Sequence, residues 1–319
     1  MDTKRKSKLI KLFDENYEES SRYYSIENYI AGQKDTYNRF YQDLSKEEQV
    51  RKYVRQITNH EFVYLGLIES LRNSDYKYLD NALYTYVSMR MRYECTARSY
   101  YDHCIAGWNL TPIVLASNRF KDIEKIYPKE IGLSKNGMNF LIIATNLIMY
   151  LYYKEESWKE QIIKETEKYL TKKDSLEFKS IVSALYALVK RDFEQFSLEL
   201  SNVCKGRKRT KLYNENKFTK EFSFYSLGLY NFANFLYPDE IKKVNLPEDE
   251  NFMIDYHNHQ KENGYRVGEQ FVIFEEPLTL LNKVISVDVP AVSLVKIERK
   301  PETEWEEHTK EIIRRIMEK

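Results

Sequence analysis

Residues 184–200 read ALYALVKRDFEQFSLEL, in which two apolar patterns flank the charged triplet Lys190-Arg191-Asp192. Two helices joined by a few polar residues pack antiparallel, so this stretch predicts a helical hairpin. On both sides of the triplet, apolar residues recur with the spacing of one helical face. The first face contains Phe178, Ile181, Val182, Leu185, Leu188 and Val189, and the second contains Phe193, Phe196, Leu200 and Val203.

The same order of an apolar helix, a polar break and an aromatic residue occurs four times. The aromatic residues are Tyr76, Phe120, Trp158 and Phe193, separated by 44, 38 and 35 residues. Helical-hairpin repeats have periods of roughly 34 to 47 residues. We expect each aromatic side chain to fill the gap between its two helices, while each hairpin buries its other face on the next. The prediction is an all-α fold, a degenerate TPR-like or HEAT-like array of antiparallel helical hairpins. A single irregular helical domain is the alternative.

Composition supports helices and argues against several functions. With 9 Gly and 7 Pro in 319 residues, tight turns are few, which disfavours a many-stranded β fold. The 50 basic and 49 acidic residues give a net charge of +1, whereas nucleic-acid binding usually shows a basic excess. No Gly-rich phosphate-binding string is present. We therefore predict no nucleic-acid partner and no cofactor.

The cysteines and the apolar runs predict a cytoplasmic protein. Three scattered cysteines, Cys95, Cys104 and Cys204, do not form a disulfide framework and favour a reducing compartment. The charged N-terminal sequence lacks the apolar core of a signal peptide. The longest apolar run, MNFLIIATNLIMYLYY at 138–153, is interrupted by Asn146 and is short for a membrane span. We interpret it as a buried helix and expect no membrane partner.

Three regions are predicted along the chain. Residues 1–50 are polar and Tyr-rich and predict an N-terminal helical region, and residues 51–264 contain the hairpin array. Residues 265–319 hold β-branched and aromatic stretches between Gly and Pro, which predict short extended segments. The final stretch is acidic early and basic late, as expected of a terminal helix.

No group of residues predicts catalysis or metal binding. Nine residues separate Cys95 from Cys104, so in one continuous helix they would face opposite sides. The stretch DYHNHQ supplies Asp255, His257 and His259, but its flanking sequence predicts a helix on which the two histidines diverge. No His can be paired with a thiol nucleophile from the sequence. We predict no catalytic residue, no metal ligand and no enzymatic activity.

Two charged runs are candidate binding sites. The basic run KGRKRTK at 205–211 would suit a phosphate or RNA, but we interpret it as a solvated loop following a helix. The acidic run near the C-terminal end would suit a basic protein partner, although a charged helix start is the alternative. Its candidate partner-binding residues are Glu302, Glu304, Glu306 and Glu307.

One segment carries a family resemblance. Residues 218–264, FTKEFSFYSLGLYNFANFLYPDEIKKVNLPEDENFMIDYHNHQKENG, resemble the signature region of the immunity 49 family of bacterial polymorphic toxin systems. The similar parts are the helix FYSLGLYNFANFL, the VNLP turn and the helix that closes in HQKENG. No catalytic motif defines that family, so no active residue is implied. Within this chain the segment has one apolar helical side and is expected to maintain the fold.

The resemblance implies an immunity protein whose partner is a cognate secreted toxin, neutralised by stoichiometric occlusion. The abundance of Tyr, 27 residues, suits a protein-binding surface. Two alternatives remain open at this stage. One is a helical-repeat regulator that binds a short peptide, and the other is a metal-assisted hydrolase that uses Asp255, His257 and His259. The oligomeric state is not predicted.

Overall fold

The computed structural model describes residues 2–56, 58–95, 103–135, 137–211, 216–292, 294–297 and 300–319. Fifteen α-helices and one pair of strands lie within these ranges. In chain order they are α1 Thr3–Asn16, α2 Ile26–Phe40, α3 Lys46–Val54, α4 Glu61–Asn73, α5 Lys77–Cys95, α6 His103–Ala116, α7 Ile123–Ile126, α8 Asn139–Tyr153, α9 Lys159–Leu170, α10 Leu176–Lys190, α11 Phe193–Arg209, α12 Phe224–Leu236, α13 Ile254–Glu262, α14 Thr279–Ser286, β1 Leu294–Ile297, β2 Lys300–Thr303 and α15 Trp305–Glu318.

The chain forms two compact units. Unit 1 combines residues 1–101 with residues 267–319, and unit 2 comprises residues 102–266. These units divide the chain differently from the three regions predicted above, because the first hundred residues pack with the last fifty. The predicted array at 51–264 is therefore shared between both units.

Unit 1 is built around the hairpin of α4 and α5. Helix α1 packs on α4, while α14 contacts both α3 and α5, and α15 packs on α3. The buried guanidinium of Arg92 in α5 joins the two parts of the unit, since it donates to the backbone oxygens of Ile285 (3.0 Å) and Val287 (2.7 Å). These bonds satisfy carbonyl groups at the end of α14 that have no partner within the helix.

The strand pair in unit 1 confirms one of the predicted extended segments. Strands β1 and β2 are antiparallel, with Leu294 opposite Thr303 and Ile297 opposite Lys300. The other predicted segment, at 265–277, contains no strand; it is irregular, with a bend at Phe271 and a turn at its end. The terminal helix is confirmed as α15.

Unit 2 consists of antiparallel helical hairpins. The predicted hairpin at 184–200 is formed by α10 and α11, and α8 pairs with α9. Helix α12 packs on α6 and also contacts α10 and α11. The apolar faces predicted for the first hairpin are buried, except for Val189 at the end of α10, which is half-buried. The all-α prediction of a helical-hairpin array is confirmed.

Three of the four polar breaks share one backbone motif. Helices α4, α6 and α10 are each followed within two residues by a residue in the left-handed region, namely Ser74, Asn118 and Arg191, with φ of 55°, 60° and 56°. At Arg191, the residue's own N–H donates to Leu188 O and the next N–H donates to Ala187 O. The same pair of bonds occurs at the other two breaks. This is the Schellman motif, built here without glycine.

The four aromatic residues lie at or directly before the start of a helical element, but their positions are not equivalent. Phe193 is the first residue of α11 and is buried, and Tyr76 immediately precedes α5 and is half-buried. Phe120 opens only a short 3-10 helix that leads into the four residues of α7. Trp158 ends the 3-10 turn before α9 and is half-buried. The second hairpin is therefore truncated, because Pro128 follows α7 closely and cannot donate to a continuing helix.

The long apolar run forms α8, a buried helix as predicted. The side chain of Asn146 explains why a polar residue is accommodated there. Its Oδ1 accepts from the N–H of Ser134 at 2.8 Å, and its Nδ2 donates to the carbonyl oxygen of Ser134 at 3.1 Å. Across the described residues, we find no helix with both the length and the apolar character needed to span a bilayer.

Candidate interaction surface

The turn between α10 and α11 presents the charged triplet to solvent. Lys190, Arg191 and Asp192 are all exposed. Asp192 also caps α11, because its Oδ1 accepts from the N–H of Gln195 at 2.9 Å. The interpretation of the triplet as a solvated hairpin turn therefore agrees with the structure.

The residue that follows α12 fixes this turn from outside the hairpin. The ring of Tyr237 meets the buried ring of Phe193 edge-on, with centroids 5.7 Å apart. The guanidinium carbon of Arg191 lies 4.8 Å from the centroid of the same Tyr237 ring, and its Nη2 is 3.2 Å from Glu240 Oε1. Phe193 thus joins its hairpin to a third segment, in addition to starting α11.

A groove opens beside the turn, and we call it the turn groove. Its volume is about 680 Å³, within the range of roughly 300–1,000 Å³ that is usual for ligand-binding clefts. Cations and carboxylates both line it, so it suits a polar or mixed-charge segment. The lining residues are Lys190, Arg191, Asp192, Phe193, Glu194, Lys243 and Asn245.

An aromatic stack lies at the end of α12. The ring of Phe235 stacks on Phe120 at 4.6 Å between centroids and on Tyr152 at 6.4 Å, with interplanar angles of 22° and 17°. Phe235 is nevertheless 48% exposed. The hydroxyl of Tyr152 donates to Glu124 Oε1 at 2.9 Å, and burial, together with that carboxylate, raises the pKa of Tyr152 to about 12. The Tyr152 hydroxyl therefore remains a donor throughout the physiological pH range.

Further rings continue this stack along α8. Tyr153 meets Tyr152 at 5.2 Å and Trp158 at 6.3 Å, both edge-on. The ammonium of Lys129 lies 5.9 Å from the Tyr153 ring and 2.8 Å from Glu155 Oε2. The hydrogen bond from Lys129 and, to a smaller extent, that from the Ser157 hydroxyl lower the pKa of Glu155 to about 2.

Together these side chains form a surface that we call the aromatic strip. Phe235 contacts Phe120, whereas Tyr237, two residues further on, contacts Phe193 at the turn groove, so one short segment supplies rings to both sites. Aromatic and Arg side chains dominate the energetics of protein interfaces. The half-exposed members of the strip are Tyr152, Tyr153, Trp158, Phe235 and Tyr237, and the buried ring of Phe120 supports Phe235.

The acidic residues predicted to bind a partner gather at the start of α15 in unit 1. Glu304 precedes the helix and is exposed, as are Glu306 and Glu307 in its first turn. Glu307 Oε1 accepts from Lys310 Nζ at 2.6 Å. Glu302 lies in β2, and its side chain falls outside the described residues. The helix start accounts for these charges, because negative groups are favoured there.

The candidate metal residues do not converge in the described part of the chain. His257 in α13 is 2% exposed, edge-on to Tyr230 at 4.7 Å and close to Phe252, whereas His259 points toward Tyr256. No group of three potential metal ligands lies within the described ranges. Burial and, to a smaller extent, the charge of Lys261 lower the pKa of His257 to about 4.

The cysteines also occupy separate positions. Cys95 ends α5 and Cys104 lies in α6, so they belong to two different helices, and both side chains fall outside the described residues. Cys204 is buried, and burial raises the pKa of its thiol to about 12, which keeps it protonated and unreactive.

The interpretation of residues 205–211 as a solvated loop is wrong, because α11 continues to Arg209. Arg207 is held by the carbonyl oxygens of Thr219 and Phe222, both at 3.3 Å, and Lys208 Nζ lies 2.9 Å from Asp249 Oδ1. Through these contacts, Arg207 and Lys208 attach the C-terminal end of α11 to the residues that follow it in the chain.

The fold and this surface define an all-α protein of helical hairpins with a half-exposed aromatic strip. Comparison with known protein families, with functionally characterised proteins and with solved structures returned no match. The sequence analysis expected the helix that contains Phe235 to maintain the fold. The structure places Phe235 in the last turn of α12 and leaves its ring half-exposed. The following sequence, Tyr237 and Pro238 directly after the helix, was the available signal.

Proposed function

We propose that this protein is an immunity protein that binds a cognate secreted bacterial toxin and neutralises it by stoichiometric occlusion. The aromatic strip and the turn groove of unit 2 make the contact. The observation that carries the proposal is the half-exposed ring of Phe235, which stacks on Phe120 and on Tyr152. A preorganised ring that remains half in water gains free energy when a partner covers it, at little cost in side-chain entropy.

The resemblance of residues 218–264 to the immunity 49 family supports the toxin as the partner. Part of the aromatic strip lies inside that segment, namely Phe235 and Tyr237. The turn groove adds charges of both signs beside the rings, as in an interface with an apolar centre and a polar rim. The acidic start of α15, with Glu304, Glu306 and Glu307, is a second contact region if the toxin is basic.

The test is co-purification with the product of a neighbouring toxin gene, together with rescue of growth in cells that express the toxin. Phe235→Ala combined with Tyr152→Ala is expected to weaken binding by about 30-fold, the loss of an interface hot spot of about 2 kcal/mol. The matched control is Phe40→Ala in unit 1, whose side chain is 66% exposed and lies outside the strip.

Growth rescue should fail for the double variant and persist for the control. If the unchanged protein neither forms a complex nor rescues growth, the toxin is not its partner. If the double variant binds with full affinity while the complex itself is real, the toxin proposal survives and the aromatic strip is not the contact surface.

A further inference from the structure

At several places in the described chain, a tyrosine hydroxyl donates to a carboxylate and a basic side chain completes a group of three. In unit 2 the hydroxyl of Tyr186 donates to Glu167 Oε1. Lys190 Nζ lies 3.9 Å from that oxygen and 4.1 Å from the centroid of the Tyr186 ring. The cation therefore contacts the negative face of the ring and the carboxylate at the same time.

An arginine occupies the corresponding position in unit 1. The hydroxyl of Tyr24 donates to Asp14 Oδ1 at 3.0 Å. The guanidinium of Arg72 lies 3.4 Å from that oxygen and 4.9 Å from the centroid of the Tyr24 ring. A tyrosine and its carboxylate thus hold a basic side chain, because the ring and the carboxylate both attract positive charge.

The pair of Tyr152 and Glu124 lacks the third member. The hydroxyl of Tyr152 donates to Glu124 Oε1 at 2.9 Å, and Glu124 is exposed. Within the described chain its carboxylate forms no ion pair, since the adjacent cation, Lys125, lies 3.4 Å from Asp122 Oδ1 instead. An exposed carboxylate beside an aromatic ring is therefore left without a cation.

Tyr169 and Asp174 also lack an ion pair in the described structure, but their surroundings differ. The hydroxyl of Tyr169 donates to Asp174 Oδ2 at 2.8 Å, and Tyr169 is only 3% exposed. Its ring is covered by the protein, so no further side chain can stack on it. Tyr152 is half-buried, and part of its ring remains in water.

The ring of Phe235 enlarges the aromatic face at Tyr152. The two rings stack with an interplanar angle of 17°, and Phe235 is 48% exposed. Nearly parallel rings beside a carboxylate suit a guanidinium better than an ammonium. A guanidinium is planar, stacks on aromatic faces and can donate two parallel N–H groups to one carboxylate.

We propose that Glu124, Tyr152 and Phe235 bind an arginine side chain of the partner protein, a proposal that rests on the proposed function, in which the aromatic strip is the contact surface. The guanidinium stacks on the half-exposed rings and donates to the Glu124 carboxylate, which the Tyr152 hydroxyl holds from the other side. It supplies the cation that this pair lacks within its own chain. The partner also excludes water from the pair, which strengthens the attraction between the charges.

The first test compares two substitutions in the complex with the toxin encoded by the neighbouring gene. Glu124→Gln removes the charge but keeps an oxygen that accepts from Tyr152. It should weaken binding about tenfold, as expected for the loss of a hydrogen bond between charged groups. The matched control is Glu130→Gln, which removes an equal charge from an exposed carboxylate near Tyr153 and should weaken binding about twofold at most.

Alanine scanning of the toxin's arginines identifies the residue that binds here. One Arg→Ala variant should lose about as much affinity as Glu124→Gln, and the combination of the two should lose little more. Replacement of that arginine by lysine should also weaken the complex, because an ammonium lacks the planar fork. If the complex forms but Glu124→Gln weakens it no more than Glu130→Gln does, the arginine site is wrong and the toxin proposal survives.

A second measurement does not require the toxin. The full chain carrying para-fluorophenylalanine in place of Phe235 is titrated with Nα-acetyl-arginine amide and followed by fluorine NMR. We expect a saturable shift of the resonance, a smaller one with Nα-acetyl-lysine amide, and none in the Glu124→Gln variant. If no toxin complex forms, the proposed function is wrong and this titration alone decides the arginine site. No response to the arginine amide, an equal response in Glu124→Gln, or an equal response to the lysine amide would overturn it.

Discussion

The ring of Phe193 meets the ring of Tyr237 edge-on, with the two centroids 5.7 Å apart. The first residue of α11 is therefore packed against the residue that caps α12. Phe120 makes the equivalent link, to Phe232 at 5.9 Å and to Phe235 at 4.6 Å. In unit 2, Phe120 and Phe193 thus connect their turns to α12 and to the residue that follows it, whereas Trp158 contacts Tyr153 of α8.

Replacement of Phe193 should destabilise unit 2 strongly. Phe193→Ala removes a buried ring and its contact with Tyr237, and should lower the free energy of unfolding by about 3 kcal/mol. Trp158→Ala, at the corresponding position before α9 but half-buried, should cost less than half as much. Urea denaturation followed by circular dichroism measures both. Equal losses would show that the contact with Tyr237 is not what distinguishes the two positions.

The left-handed residue after α8 predicts a stabilising substitution. Lys154 has a φ of 52°, a conformation that costs a side chain about 1 kcal/mol and costs glycine nothing. Lys154→Gly should therefore raise the free energy of unfolding by about 1 kcal/mol. The same substitution at the exposed Lys164, in the middle of α9, should lower it by about 1 kcal/mol. In thermal and urea unfolding, the change in the free energy of unfolding should have opposite signs for the two variants. A change of the same sign in both would contradict the explanation.

Replacement of Gly206 by Ala should destabilise the protein, although the same replacement in a helix usually stabilises. In a helix, Gly→Ala ordinarily stabilises by about 1 kcal/mol. A Cβ atom at Gly206 would lie 2.4 Å from the backbone nitrogen of Glu177, which cannot move without shifting the start of α10. Gly206→Ala should cost about 1–3 kcal/mol.

The control for that substitution is another helical glycine, Gly32 in α2. Its nearest neighbours are side-chain atoms of Arg22, at 2.9 Å and beyond, which can rearrange. Gly32→Ala should be neutral or stabilising in the same denaturation assay. A neutral result at Gly206 as well would mean that α10 and α11 separate easily at this point.

Two buried histidines predict loss of stability in mild acid. His257 and His308 each have a ring nitrogen with no hydrogen-bond partner among the described residues. Burial lowers the pKa of both to about 4; the charge of Lys261 adds to this at His257, and that of Arg315 at His308. Between the unfolded value of about 6.5 and pH 4, the unfolded chain binds protons that the folded chain does not.

The free energy of unfolding should therefore be fully retained above pH 6.5 and fall as the pH drops toward 4. The loss should reach about 1.4 kcal/mol per pH unit for each histidine. His257→Phe should remove the contribution of His257 to the pH dependence of the free energy of unfolding between pH 6.5 and 4. The pH dependence below 4, where carboxylates such as Glu155 titrate, should not change. Urea titrations at pH 7, 6, 5 and 4 measure this, and an unchanged slope between pH 6.5 and 4 would argue against His257 as a source.

Local features of the fold were predictable from the sequence, because they depend on short-range spacing. The hairpin of α10 and α11, the buried α8 and the terminal α15 each follow from apolar periodicity and charge placement. The turns were located correctly, but their left-handed residues were not foreseen, since Ser74 and Arg191 occupy positions where glycine is the usual signal.

Long-range features were not predictable, because no local pattern encodes them. Arg92 binds carbonyl groups of Ile285 and Val287, almost two hundred residues later, and this pairing leaves no trace in either segment. The segment at 265–277 was predicted to be extended from its β-branched and aromatic residues. It contains no strand, and the N–H groups of Glu269 and Phe271 donate to the side chains of Asn81 and Thr85, a pairing that the sequence does not reveal.

The division of the chain into units has a consequence for synthesis on the ribosome. Unit 2 is continuous, so every contact within it can form once residue 266 has emerged. Unit 1 also needs residues 267–319, and the acceptors of Arg92, at Ile285 and Val287, are made almost two hundred residues after it. Domains generally fold as units during translation, and distant contacts form slowly. We expect unit 2 to be folded while the apolar faces of α4 and α5 still await their C-terminal partners, the period in which a nascent chain is most exposed to aggregation and most dependent on chaperones.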